Sequence, residues 1–246
     1  MSEAPPRAPA VLWHDLECGG YSADLPLWLE LARQADGPVL ELGAGTGRVA
    51  LELVAAGYKV TALDSNPVLL GELAGRAKEF GSEVACVAAD ARRLQGIGQF
   101  ALVAAPMQFV QLMGGASARA ELLAAVATCL RPGGILAAAI ADLEDAVAAE
   151  DGEAPLPDVG EGGGWVYSSL PVHIRRERCG VAVEWLRRVA SPAGEVVEER
   201  HTEMLDFLTA DEFERDAASQ GLRVEGRHAL SHTEAYIGST VVVCRR

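Results

Sequence analysis

The chain has 246 residues, half of them hydrophobic, which is enough to fill the core of one α/β domain. Its 35 acidic residues outnumber the 21 basic ones, for a formal net charge of −14. That field repels phosphate backbones and argues against a nucleic-acid partner; the tight basic group Arg175, Arg176 and Arg178 has acids close by.

The five cysteines (18, 86, 129, 179 and 244) form no Cys-x-x-Cys pair and read as reduced thiols of a cytoplasmic protein, with neither a disulfide framework nor a zinc site. Met1–Pro9 carries Pro, Glu and Arg without an apolar signal core, and no apolar run reaches membrane-spanning length.

Residues 1–10, rich in Pro and Ala, are expected to fray. Leu12 to Tyr21 holds too many glycines and polar residues for a plain core helix. An amphipathic helix then runs to Arg33 with Leu25, Trp28, Leu29 and Ala32 on one face and Pro26 in its first turn. A short apolar strand leads into Gly43-Ala-Gly-Thr-Gly47 and a helix to Ala56. Tyr58–Asp64 is a strand ending in an acid, Ser65-Asn66-Pro67 opens a helix to about Phe80, and Glu83–Ala88 is a third strand before Ala89-Asp90-Ala91. Phe100–Ala105 is a fourth strand, leaving through Pro106-Met-Gln108. A helix from Ser117 to Leu130 stops at Arg131-Pro-Gly-Gly134, and Ile135–Ile140 is a fifth buried strand. This alternation predicts a parallel, doubly wound sheet with right-handed crossovers, whose ligands bind beyond the carboxyl ends of the strands.

The pattern then changes. Asp142–Glu161 is acidic, with Gly and Pro, and reads as a helix end and loop. Trp165–Arg176, Val181–Ala190 and Glu195–Leu208 read as an antiparallel meander. Thr209 caps a helix to Gln220, Gly221 ends it, and Leu222–Leu230 and Ile237–Cys244 are closing strands.

The glycine-rich turn between strand and helix carries the chemistry. Glycines at 43, 45 and 47 let a ligand approach the backbone amides, and the helix behind points its free N–H groups at the turn. A dinucleotide fingerprint, Gly-x-Gly-x-x-Gly, would place its third glycine where Arg48 stands, and no Tyr-x-x-x-Lys pair is present. Both features weigh against a nicotinamide-dependent oxidoreductase, which remains the rival enzyme.

Glu41-Leu-Gly-Ala-Gly-Thr-Gly47 resembles motif I of the class I S-adenosylmethionine-dependent methyltransferases. Asp64 is similar to the acid closing their second strand, Asp90 to the acid after the third, and Leu130-Arg-Pro-Gly-Gly134 to the run before the fifth. The stretch from Trp13-His-Asp through Gly-Gly-Tyr21 to Leu27-Trp-Leu-Glu-Leu-Ala32 looks like the N-terminal cap of their small-molecule members. The resemblance implies a Rossmann-like, seven-stranded mixed sheet with a helical N-terminal cap (1–35) and a core of 36–141 and 209–246. It also implies an antiparallel β insertion after the fifth strand (142–208), serving as an acceptor-side lid or as the arm of a homodimer.

The same resemblance places S-adenosylmethionine, leaving as S-adenosylhomocysteine, against Tyr21, Glu41, Gly43, Ala44, Gly45, Gly47, Asp64, Ser65, Asp90, Ala91, Ala105 and Met107. Asp64 would accept both ribose hydroxyls, and Asp90 the adenine amine. Trp13 and Tyr21 are the aromatic candidates beside the sulfonium. His14 in the cap and His173 in the meander are the candidate bases. The exit Ala105-Pro-Met-Gln108 lacks both the metal-binding acid of catechol-type enzymes and the Asn/Asp-Pro-Pro-aromatic turn of DNA amino-methyltransferases. The expectation is a metal-free transfer to an O or N atom of a small molecule. A cofactor-binding protein without catalysis is the reading from another class.

Overall fold

The computed structural model describes residues 7–143, 156–233 and 236–246. The first five strands are β1 (Val39–Leu42), β2 (Val60–Asp64), β3 (Ala85–Ala88), β4 (Phe100–Ala105) and β5 (Leu130–Ala141). Together with β10 (Arg223–Leu230) and β11 (Ser239–Arg245) they form a seven-stranded sheet in the order β10-β11-β5-β4-β1-β2-β3. β3, β2, β1, β4 and β5 run parallel, whereas β11 pairs antiparallel with β5 and with β10. The mixed sheet follows from the chain's own order: helices return the chain after β1, β2 and β4, a helix-free connection crosses from β3 to β4, and β10 and β11 close as a hairpin-like pair.

Alternation along the strands divides the core in two. Leu40, Leu42, Val103, Ala105, Leu136 and Ala138 point to one face. Val39, Ala62, Leu102, Ala104, Ile135 and Ala137 point to the other. A sheet buried on both faces needs apolar residues at both phases, and β4 is buried throughout.

The helices are α1 (Pro9–Cys18), α2 (Leu25–Ala35), α3 (Arg48–Ala55), α4 (Pro67–Glu79), α5 (Ala116–Cys129) and α6 (Ala210–Ser219). Asn66 caps α4 by accepting the Val68 amide, and Thr209 with Glu212 forms a reciprocal capping box on α6. Among the described residues no helix is long and apolar enough to cross a membrane.

A second sheet, β6 (Asp158–Gly162), β7 (Trp165–Arg176), β8 (Gly180–Ala190) and β9 (Val196–Asp206), is antiparallel in chain order. It is the expected insertion after β5, with one correction. Asp158–Gly162, expected as loop, is an edge strand, because its five residues pair with Trp165–Ser169 across a Gly163-Gly164 turn with positive φ at both glycines. Residues 144–155 of the acidic stretch lie outside the described residues, as do residues 1–6 of the segment expected to fray.

The second correction concerns residues 9–18, which form a helix after all. Its polar side chains are satisfied on two sides, and so the composition does not expose it. Asp15 pairs with Arg76 of α4 and Arg7, and Glu17 receives Arg187 Nε and Nη2 at 2.7 Å each and the Ser169 hydroxyl at 2.6 Å. Trp13 packs edge-on against Tyr167, ring centroids 6.5 Å apart, beside Trp165. α1 thereby joins the first sheet to the second.

Candidate cofactor and acceptor site

β1 and β4 are neighbours whose connections leave to opposite sides, the crevice position where ligands bind in such sheets. The turn after β1 has positive φ at Gly43 (65°), Gly45 (54°) and Gly47 (98°), conformations that only glycine adopts without strain. Asp64, ending β2, braces this turn: its Oδ2 accepts the Gly45 amide at 2.9 Å and its Oδ1 the Asn66 amide at 2.8 Å. Each carboxylate oxygen keeps a lone pair for a further donor.

A cavity of about 780 Å³ opens over these strand ends. Its floor is built from Gly43, Asp64, Ser65 and Asn66, then Asp90, Ala91 and Arg92, then Pro106, Met107 and Gln108. Met107 holds a left-handed φ of 53°, unusual for a side chain of its kind and placed where β4 leaves the sheet. Asp90 is paired with Arg92, whose Nε lies 2.9 Å from Oδ1 and whose Nη2 lies 2.5 Å from Oδ2. The Arg92 side-chain and backbone hydrogen bonds hold the carboxyl down at about 2.

His14 covers the turn from above. The Thr46 hydroxyl gives its one proton to Asp15 Oδ1 at 2.7 Å, so the His14 Nδ1–H donates to Thr46 Oγ1 at 3.1 Å. That tautomer leaves Nε2 as an unprotonated base above Gly45, so close that a Cβ there would lie 1.9 Å from it. Burial lowers the His14 pKa, against the pull of Asp15 and Asp64. The Asp15 carboxyl is also lowered, because hydrogen bonds from Arg76 and Thr46 overcome the opposing effect of its burial.

Of the residues expected from the sequence, the structure gathers His14, Gly43, Asp64, Ser65, Asp90, Ala91 and Met107 around this cavity. The others lie behind its wall. Ala44 gives its amide to the Leu63 carbonyl, Gly45 is roofed by His14, Gly47 backs onto Leu73 and Leu51, and Ala105 is part of the core. Tyr21, expected beside the sulfonium, is buried under the Arg48 guanidinium, 5.2 Å from its ring centroid, and tilted against Tyr236. Glu41 is buried on the α2–α3 side of β1, with Oε2 unpartnered and its pKa raised to about 8 by burial.

His173, the second expected base, is exposed and turned away. Regular alternation would put it on the side of Pro171, which lines the cavity. The register slips by one residue between Pro171 (opposite Trp185) and His173 (opposite Glu184), and Ile174 takes the inward place instead.

Sequence reading missed the far half of the cavity. Val181, Val183 and Trp185 of β8 and Glu203 and Leu205 of β9 face it, with Glu17, Cys18, Asp158 and Tyr236 at its side. Only the pairing of β8 with β9 brings these residues to one surface. Among the described residues, no group of three or more His, Cys, Asp or Glu is placed to hold a metal ion.

Residues 39–134 match the model of a family described as methyltransferase domain. That stretch is similar to a methyltransferase domain. That match spans β1 to the start of β5 and holds the whole cavity floor. Solved structures are similar over nearly the full chain. A sugar N-methyltransferase from Streptoalloteichus sp. superposes with a TM-score of 0.75 at 19% identity, covering 100% of this chain and 96% of that one. An S-adenosylmethionine-dependent methyltransferase from Clostridium acetobutylicum gives 0.72 at 13% identity, with 95% and 96% covered. An amino pentose methyltransferase from Micromonospora echinaspora, solved with S-adenosylmethionine bound, gives 0.70 at 19%, with 99% and 100% covered. These likenesses extend the methyltransferase fold to the second sheet. Comparison with curated proteins finds no match.

Proposed function

We propose that the chain transfers a methyl group from S-adenosylmethionine to an O or N atom of a small molecule. One observation carries this reading. Gly43, Asp64 and Asp90, at the ends of three strands of a methyltransferase domain, share the floor of one cavity whose other half is walled by the second sheet.

The residues present fit the cofactor. The glycine turn gives close backbone approach, Asp64 retains lone pairs for a ribose diol, and the Ala91 amide follows Asp90 at the adenine end. When bound, S-adenosylmethionine supplies a methyl group on a sulfonium whose leaving group is already activated. The protein's own work is to orient and to exclude water, and orientation alone contributes about 7–11 kcal/mol to such reactions. α1 closes over the turn through His14 and Asp15 and performs the exclusion. For a hydroxyl acceptor, His14 Nε2 is the cavity group suited to take the proton. Two of the proteins of similar fold are named an amino pentose methyltransferase and a sugar N-methyltransferase, which supports a small acceptor.

Calorimetry with S-adenosylhomocysteine and with NAD tests the cofactor, and release of S-adenosylhomocysteine against an acceptor panel tests turnover. We expect micromolar or tighter binding of the first ligand and none of the second. NAD binding without S-adenosylhomocysteine binding would restore the oxidoreductase. Binding without turnover on any acceptor would make the chain a cofactor-binding protein.

A further inference from the structure

The far half of the cavity contains a charge that the fold does not explain. On β8 and β9 the residues facing the cavity are Val181, Val183 and Trp185, then Leu205 and Glu203. Cross-strand pairing sets Val181 opposite Leu205 and Val183 opposite Glu203. An aliphatic residue would continue this row; a carboxylate stands in it instead. Glu203 has no hydrogen bond or ion pair among the described residues. Its neighbour Glu17, by contrast, is neutralised by two bonds from Arg187 and one from Ser169. A mostly buried carboxylate without a partner costs stability, and nothing in the sheet requires it. Its position, aimed into a cavity built for an acceptor, gives the charge a use.

Resting on the methyltransferase reading above, we infer that Glu203 selects the acceptor: the substrate is an amine, held by its nitrogen at Glu203 with an apolar body against Trp185, Val183 and Leu205. Burial raises the Glu203 carboxyl; His201 and Arg187 oppose this and Glu17 adds to it, and on balance this carboxylate takes up a proton more readily than an exposed one. Asp158 lines the same wall and is raised for the same first reason. Trp185 adds a π-face that favours a cation over a neutral group.

The transfer balances as follows. The ammonium gives one proton to Glu203. The freed nitrogen lone pair forms the N–C bond as the C–S bond breaks, and that bond's electron pair stays on sulfur. The product is an N-methylated ammonium beside a neutral thioether, and Glu203 returns its proton to water as the product leaves. An alcohol of the same shape would present no charge to Glu203 and would leave it unpaired.

The test uses the full chain with S-adenosylhomocysteine bound, and two probes of one shape, benzylamine and benzyl alcohol. The heat of S-adenosylhomocysteine binding is recorded first. Its absence in the unaltered protein would overturn the methyltransferase reading itself, separately from the amine assignment. On the loaded protein, calorimetry at pH 7 is expected to show benzylamine binding at least tenfold tighter than benzyl alcohol. Glu203→Gln, of the same shape, should bring the two within about twofold while S-adenosylhomocysteine affinity is unchanged. Asp158→Asn, on another strand, should reduce the preference in part. Equal affinities in the unaltered protein, binding of neither probe, or a preference that survives Glu203→Gln would each overturn the inference.

Discussion

Arg48 and Asp24 form a two-bond ion pair inside the protein: Nη1 lies 2.5 Å from Oδ1 and Nη2 2.8 Å from Oδ2. Their side chains are only 8% and 1% exposed. Asp24 also accepts the Trp28 indole N–H at 2.7 Å, and Arg48 donates to the Tyr21 carbonyl at 2.8 Å. The residue that breaks a dinucleotide fingerprint in sequence thus ties the N-terminal cap to the first turn of α3. Asp24→Ala leaves a buried guanidinium without its counter-charge, and the expected loss is about 3–5 kcal/mol in urea unfolding. The double replacement Asp24→Leu with Arg48→Met should lose less than the single one. A loss below about 1 kcal/mol for Asp24→Ala would show that the pair is solvated in solution.

Asp64 has two duties, and they are measurable apart. Asp64→Ala removes the proposed ribose acceptor and should weaken S-adenosylhomocysteine binding at least tenfold. It also strips the Gly45 and Asn66 amides of their acceptor. The unliganded protein should therefore lose about 1–3 kcal/mol as well. Unchanged cofactor affinity would remove Asp64 from the site, whatever happened to stability.

The α1 lid should respond to both ligand and pH. Amide exchange over residues 11–18 is expected to slow when S-adenosylhomocysteine is added, as the proposed closure of this helix over the cofactor requires. The folded state lowers the His14 pKa below its ordinary 6.5, so the released helix binds the proton more readily than the docked one. Docking is then intact above pH 6.5 and weakens as pH falls below it. Asp15 acts in a separate window: its lowered carboxyl adds docking strength above its ordinary 3.8, lost only in stronger acid. Equal protection of α1 with and without ligand, at pH 5 and at pH 8, would make it a fixed part of the core.

Glu41 carries the opposite sign. Its folded pKa of about 8 stands above the ordinary 4.5, so the native state holds a proton that the unfolded chain has released. Stability contributed at this position therefore falls as pH rises from 4.5 to 8. Glu41→Gln, neutral at every pH, should be close to the unaltered protein in stability at pH 5 and more stable at pH 9, by something on the order of 1–4 kcal/mol. Unfolding curves that keep the same separation at both values would mean that Glu41 is ionised and paired in the fold.

The sequence by itself determined the parallel core and the floor of the site. A glycine turn after an apolar strand, and acids at the ends of the next two, are local signals; the sheet's connectivity then forces their positions to one edge. The helix of residues 9–18 was hidden because its polar residues are satisfied by partners distant in sequence, Thr46, Arg76, Ser169 and Arg187. Only the tertiary structure decided which face each residue of the second sheet presents. A strand's side chains alternate, so a single slipped residue reverses them all, and the slip between Pro171 and His173 sends the histidine out. The same long-range pairing, Val183 against Glu203, brings in an acid that the sequence leaves indistinguishable from the other glutamates of β9. Period-two patterns state that a strand has two faces; contacts between distant strands choose which one meets the ligand.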